Sequence, residues 1–152
     1  MREILYRGKP KNKEHSYFFS EIWKKHYEKG FVYGSLIVYK DRCFIAVSAQ
    51  CNIKHCVNNG LVSMIEVDPE TVGQFTGLTD KNGARIFEWD IVKGKDNLKR
   101  NLAVGGYIDN ENGSFVIVGE FITHYRWLDY ELEVIGNIHD NPELLKGSVD
   151  NG

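Results

Sequence analysis

The chain has 152 residues and a mass of 17.5 kDa, with 19 Lys and Arg against 21 Asp and Glu, for a formal net charge of -2. With 42% hydrophobic residues, 26% charged residues and only three prolines, bulk disorder is excluded. No apolar run approaches the ~18 residues of a membrane-spanning helix. Surface scaling gives about 69% of the unfolded surface buried, enough for a core without covalent staples.

The near-neutral charge hides an asymmetry. Residues 1–29 carry eight basic residues and four glutamates, a net of +4, which leaves -6 for the rest. Such a basic stretch serves as a phosphate footprint, as a solvated face, or as a dock for an acidic copy of the same chain. The charged start MREILYRGKPKNKEHS lacks the apolar run of a signal peptide, so the expected location is the cytoplasm. Three cysteines argue against a disulfide framework.

In chain order, residues 1–7 read as a short strand, followed by a loop over 8–13. Phe19, Trp23 and Tyr27 recur at i, i+4 and i+8, and Glu21 and Lys25 sit at ion-pair spacing. Gly30 stands where a left-handed cap belongs, so the spacing predicts one helix over 18–29. Segments 31–39, 43–48, 61–67, 85–92, 114–119, 120–127 and 131–136 are rich in β-branched and aromatic residues and read as strands. Turn clusters separate them, among them Lys40-Asp41, residues 80–83 and residues 109–113. Alternation of Phe87, Trp89 and Ile91 with Glu88 and Asp90 predicts a half-buried strand. Asn141-Pro142-Glu143 has the chemistry of a helix start, and 147–152 has nothing to pack.

Together these features predict a mainly β protein, an α+β arrangement rich in strands. Residues 1–76 would hold the helix and several strands, and 77–146 an SH3-like small barrel ending in a short helix. The two parts also fit one domain.

Three segments resemble the YopX family of phage and prophage proteins. They are FVYGSLIV at 31–38, VDPETVGQFTGLTDKNGARIFEWDIV at 67–92 and LEVIGNIHDNPELL at 132–145. The resemblance implies a small β-rich protein encoded by a phage or prophage, with a barrel-like carboxyl-terminal part and self-assembly. The family pattern has glycine between Glu88 and Asp90, where this chain has Trp89, and family members look shorter over 14–29. The middle segment also has its own physical reading. Gly73, Gly77 and Gly83 permit positive φ or close approach, and Asp80 and Asn82 close a turn through side-chain hydrogen bonds. Asp90 and Ile91 begin the barrel strand.

Reactive constellations are weak. Gly73 to Gly77 is followed by no Gly-Lys-Ser/Thr, so it fails as a P-loop. Residues 80–88 place glycine wrongly for a calcium loop. Cys43, Cys51, His55 and Cys56 are the only soft-metal cluster, but adjacent His55 and Cys56 point opposite ways on a strand, so free thiols are expected. Cys51 or Cys56 with His124 or His139 lacks any feature that brings them together. Glu88 and Asp90, two apart on the expected strand, read as a solvated or turn-capping pair, and His139 as a turn residue. Asn112-Gly113-Ser114 is a hairpin turn.

The expectation is therefore a non-catalytic protein without cofactor or metal, acting by self-assembly or by binding a phage or host protein. Phe19, Trp23 and Tyr27 are the expected contact stripe. Lys93, Lys95, Lys99 and Arg100 beside Tyr107 support a nucleic-acid-binding barrel as the alternative, and a small hydrolase comes third.

Overall fold

The computed structural model describes residues 3–12, 24–49, 61–96, 103–124 and 130–147. It is mainly β and divides into two units, one over Glu3–Gln74 and the other from Phe75 onward.

The first unit is an antiparallel sheet in the order β5-β4-β3-β1, formed by β1 (Tyr6–Gly8), β3 (Phe31–Tyr39), β4 (Arg42–Ala49) and β5 (Leu61–Val67). The short strand β2 (Tyr27–Glu28) pairs with the start of β3. Its hairpin turn is Lys29-Gly30, with φ of 51° and 86°, the two positive values of a type I′ turn. Within the described residues 24–29, this hairpin stands where the end of the expected helix over 18–29 was placed, and 18–23 lie outside the described residues. Gly30 does take the left-handed conformation expected of it, but in a hairpin, and Tyr27 is a strand residue. Phe19 and Trp23 lie outside the described residues.

Along β3, β4 and β5 the side chains alternate between two faces. Val32, Ile45, Val47, Ile65 and Val67 form one buried cluster, with Tyr6, Leu36, Cys43 and Val72 against it. Chain leaving β1 returns to the far edge of the sheet. The Lys11 amide donates to the Glu66 carbonyl (3.0 Å), the Asp68 amide donates to the Lys9 carbonyl (2.9 Å), and Pro10 faces Val67. A Cβ on Gly8 would lie 2.8 Å from the Val67 side chain, so the corner closes only around a residue with no side chain.

Strand β6 (Gly73–Thr79) follows a single 3₁₀ turn at Pro69–Thr71, which the Asp68 carboxylate caps by accepting from the Glu70 amide. Gln74 and Gly73 pair with Tyr6 and Arg7 in the first unit. From Phe75 onward β6 pairs with β7 (Arg85–Phe87) across a bulge where Gly77 has φ 88°. Thr76 holds the bulge. Its hydroxyl donates to the Ile86 carbonyl (2.8 Å) and accepts from the Leu78 amide.

The second unit continues with a five-stranded antiparallel sheet in the order β11-β10-β9-β8-β12. Its strands are β8 (Asp90–Asp96), β9 (Ala103–Glu111), β10 (Ser114–Val118), β11 (Thr123–His124) and β12 (Tyr130–Asn137). Val92, Val104, Ile108, Ile117 and Leu132 turn to one side and form the core with Ile86. The sheet is strongly curled. His124 on one edge strand lies edge-on to Tyr130 on the other, with ring centres 5.5 Å apart. No backbone ladder joins β11 to β12 among the described residues, so the sheet is open where a closed barrel was expected.

Besides β2, strands β6 and β9 were not expected: glycine punctuates the first, and the turn cluster at 109–113 covers the end of the second. The β9–β10 turn is Asn112-Gly113, the hairpin turn expected there, with two positive φ values, 52° and 80°. Conversely, the strand expected over 85–92 is two strands broken at Glu88-Trp89. The expected short helix at 142 is a 3₁₀ segment, Pro142–Gly147. There the Asn141 side chain accepts from the Asn137 amide.

Candidate protein-interaction site

The segment from 67 to 92 proves to be a structural clasp. Asp80 is 8% exposed, and its carboxylate accepts three backbone hydrogen bonds: from Asn82 (2.8 Å), Ala84 (2.9 Å) and Val134 (3.0 Å). The neighbouring Lys81 amide donates to the Leu132 carbonyl (2.8 Å). Loop 80–84 thus satisfies polar groups on the edge of β12 that faces away from β8, and shields an edge open to pairing with another chain. Burial pushes the Asp80 carboxyl upward, but the three amide donors and the Lys81 charge outweigh it and hold it below its ordinary value. Gly83 lies in the same loop with φ 82°. Gly73 pairs opposite Arg7 and has no positive φ.

Trp89 keeps the backbone that a glycine would adopt, with φ 70°. Its amide donates to the Ile108 carbonyl (2.8 Å) and its carbonyl accepts from the Ile138 amide (2.9 Å), which pins the turn between β9 and the turn that follows β12. The indole is half-buried, stacked on Tyr107 with ring centres 6.3 Å apart, and meets the His139 ring edge-on. Asp90 is 2% exposed and its carboxylate accepts from the Phe87 amide (2.8 Å). Glu88 in the turn and Asp90 in the core therefore do not form a carboxylate pair on one face. His139 follows Asn137, whose side-chain oxygen accepts from the amides of His139 and Asp140, the turn role expected for it.

The basic stretch of the second unit is interleaved with acid. Lys93 and Lys95 on β8 face Glu133 and Glu131 on β12. The Glu133 carboxylate lies 3.8 Å from the Lys93 ammonium and 3.1 Å from that of Lys81. This gives a mixed field rather than the positive stripe that follows a phosphate backbone. Lys99 and Arg100 lie outside the described residues. So do Cys51, His55 and Cys56, while Cys43 packs against the core of the first unit. Among the described residues, no three His, Cys, Asp or Glu side chains gather as a metal site, and no helix is long and apolar enough to cross a membrane.

Two surfaces stand out, one on each unit. In the first unit, register places Ile37 opposite Phe44, and Ala46 opposite Ser35 and Met64, all on the sheet face turned away from the core. Ile37 is 40%, Met64 53% and Tyr39 61% exposed. Beside them the Glu66 carboxylate accepts two hydrogen bonds from the Arg42 guanidinium, at 2.8 and 2.9 Å, with Lys11 at 3.5 Å. The bond to Arg42, with its charge and that of Lys11, lowers the Glu66 carboxyl to about 2. An apolar patch with a fixed ion pair at its margin has the anatomy of an interface: apolar centre, polar rim.

In the second unit, a hollow of about 700 Å³ opens on the outer face of the sheet. Ile91, Ala103 and Gly105 floor it, Lys95 and Glu133 stand beside it, and Leu144 closes one end. The β10–β11 hairpin carries Phe121, 80% exposed, and Ile122, 64% exposed. The hairpin tip is not legible in the sequence because 120–127 has the composition of one continuous strand. Gly119-Glu120 was the overlooked turn signal. Tyr27, the described member of the expected contact stripe, is 41% exposed.

A family model described as YopX protein matches residues 6–146. The chain belongs to the YopX family. That match covers both units and nearly the whole YopX chain, including the clasp at 80–84 and the turn at Trp89. No curated protein matches this YopX chain.

Proposed function

We propose that this YopX-family chain is a non-catalytic accessory protein that works by protein contact, first with copies of itself. The observation that carries the reading is the outer sheet face of the first unit, where Ile37, Tyr39 and Met64 stand in solvent around Phe44. Contiguous apolar side chains on a sheet face are disfavoured in a chain that works alone, because covering each recovers about 25 cal/mol per Å² of apolar surface. The mixed Lys and Glu field on the second unit supports protein contact over nucleic acid.

An SH3-like relationship for the second unit belongs to the same proposal, supported by its five curled antiparallel strands. So does origin in a phage or prophage and action in the bacterial cytoplasm, which rest on the three resembling segments. Hydrogen exchange measured against protein concentration tests the reading. Amides of β3 to β5, or of the hollow and hairpin tip, become protected as concentration rises. A chain whose exchange is independent of concentration, and which binds single-stranded nucleic acid with steep salt dependence, overturns it.

A further inference from the structure

The hollow and the hairpin tip of the second unit are complementary in size and apolar chemistry. The turn between β10 and β11 is a two-residue link, Glu120-Phe121. The Gly119 amide donates to the Ile122 carbonyl (3.0 Å), and Val118 pairs with Thr123. Neither Glu120 nor Phe121 has positive φ, so the turn accepts most side chains and selects none. Nothing in the turn calls for phenylalanine, yet Phe121 stands 80% exposed with Ile122 beside it. An aromatic side chain of this kind covers about 150–250 Å² when buried, so leaving it in water forgoes stabilisation that only a contact recovers.

The hollow on the outer sheet face is of the volume that takes a bulky apolar group, about 700 Å³. Its floor is shallow for a reason in the sequence: β9 contributes Ala103 and Gly105 where the facing β8 contributes Lys95 and Lys93. Leu144 supplies an apolar end wall. The margin is charge-balanced, with Lys81, Lys93 and Lys95 against Glu131, Glu133 and Glu143, so the fit rests on shape and apolar surface.

We propose that the Glu120-Phe121-Ile122 tip of one copy seats in the hollow of a second copy, with Phe121 over Ala103 and Gly105. This deepens the protein-contact reading and rests on it. It names the partner, a second copy, and the contact. Exchanged in both directions the contact is isologous and closes as a dimer; made in one direction it chains copies head to tail.

Sedimentation equilibrium of the full chain tests it with three variants: Phe121→Asp, Ala103→Trp and the pair Ile37→Lys with Met64→Lys. All sit at exposed or half-exposed positions, and circular dichroism confirms that each variant folds. Phe121→Asp removes the plug and Ala103→Trp fills the socket. Each weakens self-association at least tenfold, while the Ile37 and Met64 pair leaves it intact. Mixing the two defective chains restores heterodimer, because one has an intact socket and the other an intact plug. Association that survives both Phe121→Asp and Ala103→Trp but is lost with Ile37→Lys and Met64→Lys overturns the plug-and-socket contact and leaves the broader reading standing. A wild-type chain that stays at 17.5 kDa at every concentration overturns self-contact in both forms.

Discussion

Asp80 shows at the scale of one residue how this chain uses charge. A carboxylate that accepts three backbone amides is worth more than a neutral acceptor, because charge-assisted bonds contribute about 1.5–3 kcal/mol each in favourable settings. Asp80→Asn keeps the shape but turns an amide donor toward amide donors. It should cost about 2–3 kcal/mol, read as a lower urea midpoint at unchanged slope. The sign of the pH effect follows from the lowered carboxyl. Its stabilisation is full above the ordinary aspartate value of about 4 and is lost as pH falls through the lower value of the folded state. Acid unfolding of the wild type should therefore be steeper below about pH 4 than that of Asp80→Asn. Trp89 offers a second test. Its left-handed backbone costs about 1–2 kcal/mol, and its stack on Tyr107 returns about 0.5–1.5 kcal/mol. Trp89→Gly removes both and should change stability by less than about 1 kcal/mol, whereas Trp89→Ala removes the stack and keeps the strain. The alanine variant should be the less stable of the two in chemical denaturation.

At the scale of elements, the sequence was most legible where β-branched residues run unbroken. Residues 31–39 and 61–67 became strands with the expected bounds. It was least legible where local chemistry and tertiary pairing disagree. Strand β9 carries Gly105-Gly106 and Asp109-Asn110, which propensity assigns to turns, yet β8 and β10 pair with it on both sides and hold it extended. Tyr27, the last residue of the expected aromatic stripe, falls in the hairpin that Lys29-Gly30 turns between β2 and β3, a preference that the 19, 23, 27 spacing does not carry. The Asp80 side chain closes the turn at 80–84 as expected, with Asn82 contributing its backbone amide. The role of that turn on the edge of β12 was not legible, since Val134 is 54 residues distant in sequence. The corner of the first unit gives an element-scale prediction. Gly8→Ala forces a methyl group within 2.8 Å of the fully buried Val67 and should destabilise the chain by about 1–3 kcal/mol. Val67→Ala in the same chain should relieve part of that loss, a non-additivity that a double-mutant cycle reads directly.

For the whole molecule, charge and apolar surface make the same argument. Lys93 and Lys95, the described members of the basic group that suggested a nucleic-acid platform, are answered by Glu133 and Glu131 on the next strand. Among the exposed apolar groups, Ile37, Tyr39 and Met64 share one sheet face of the first unit, and Phe121 and Ile122 form the hairpin tip of the second. On the proposed reading, these surfaces serve protein contact. Light scattering on a sizing column, with absorbance read at 260 and 280 nm, tests that claim most directly. The account predicts a discrete multiple of 17.5 kDa with a protein-like absorbance ratio, unchanged by moderate salt. A 17.5 kDa species at all concentrations, carrying excess absorbance at 260 nm that salt strips away, would contradict it.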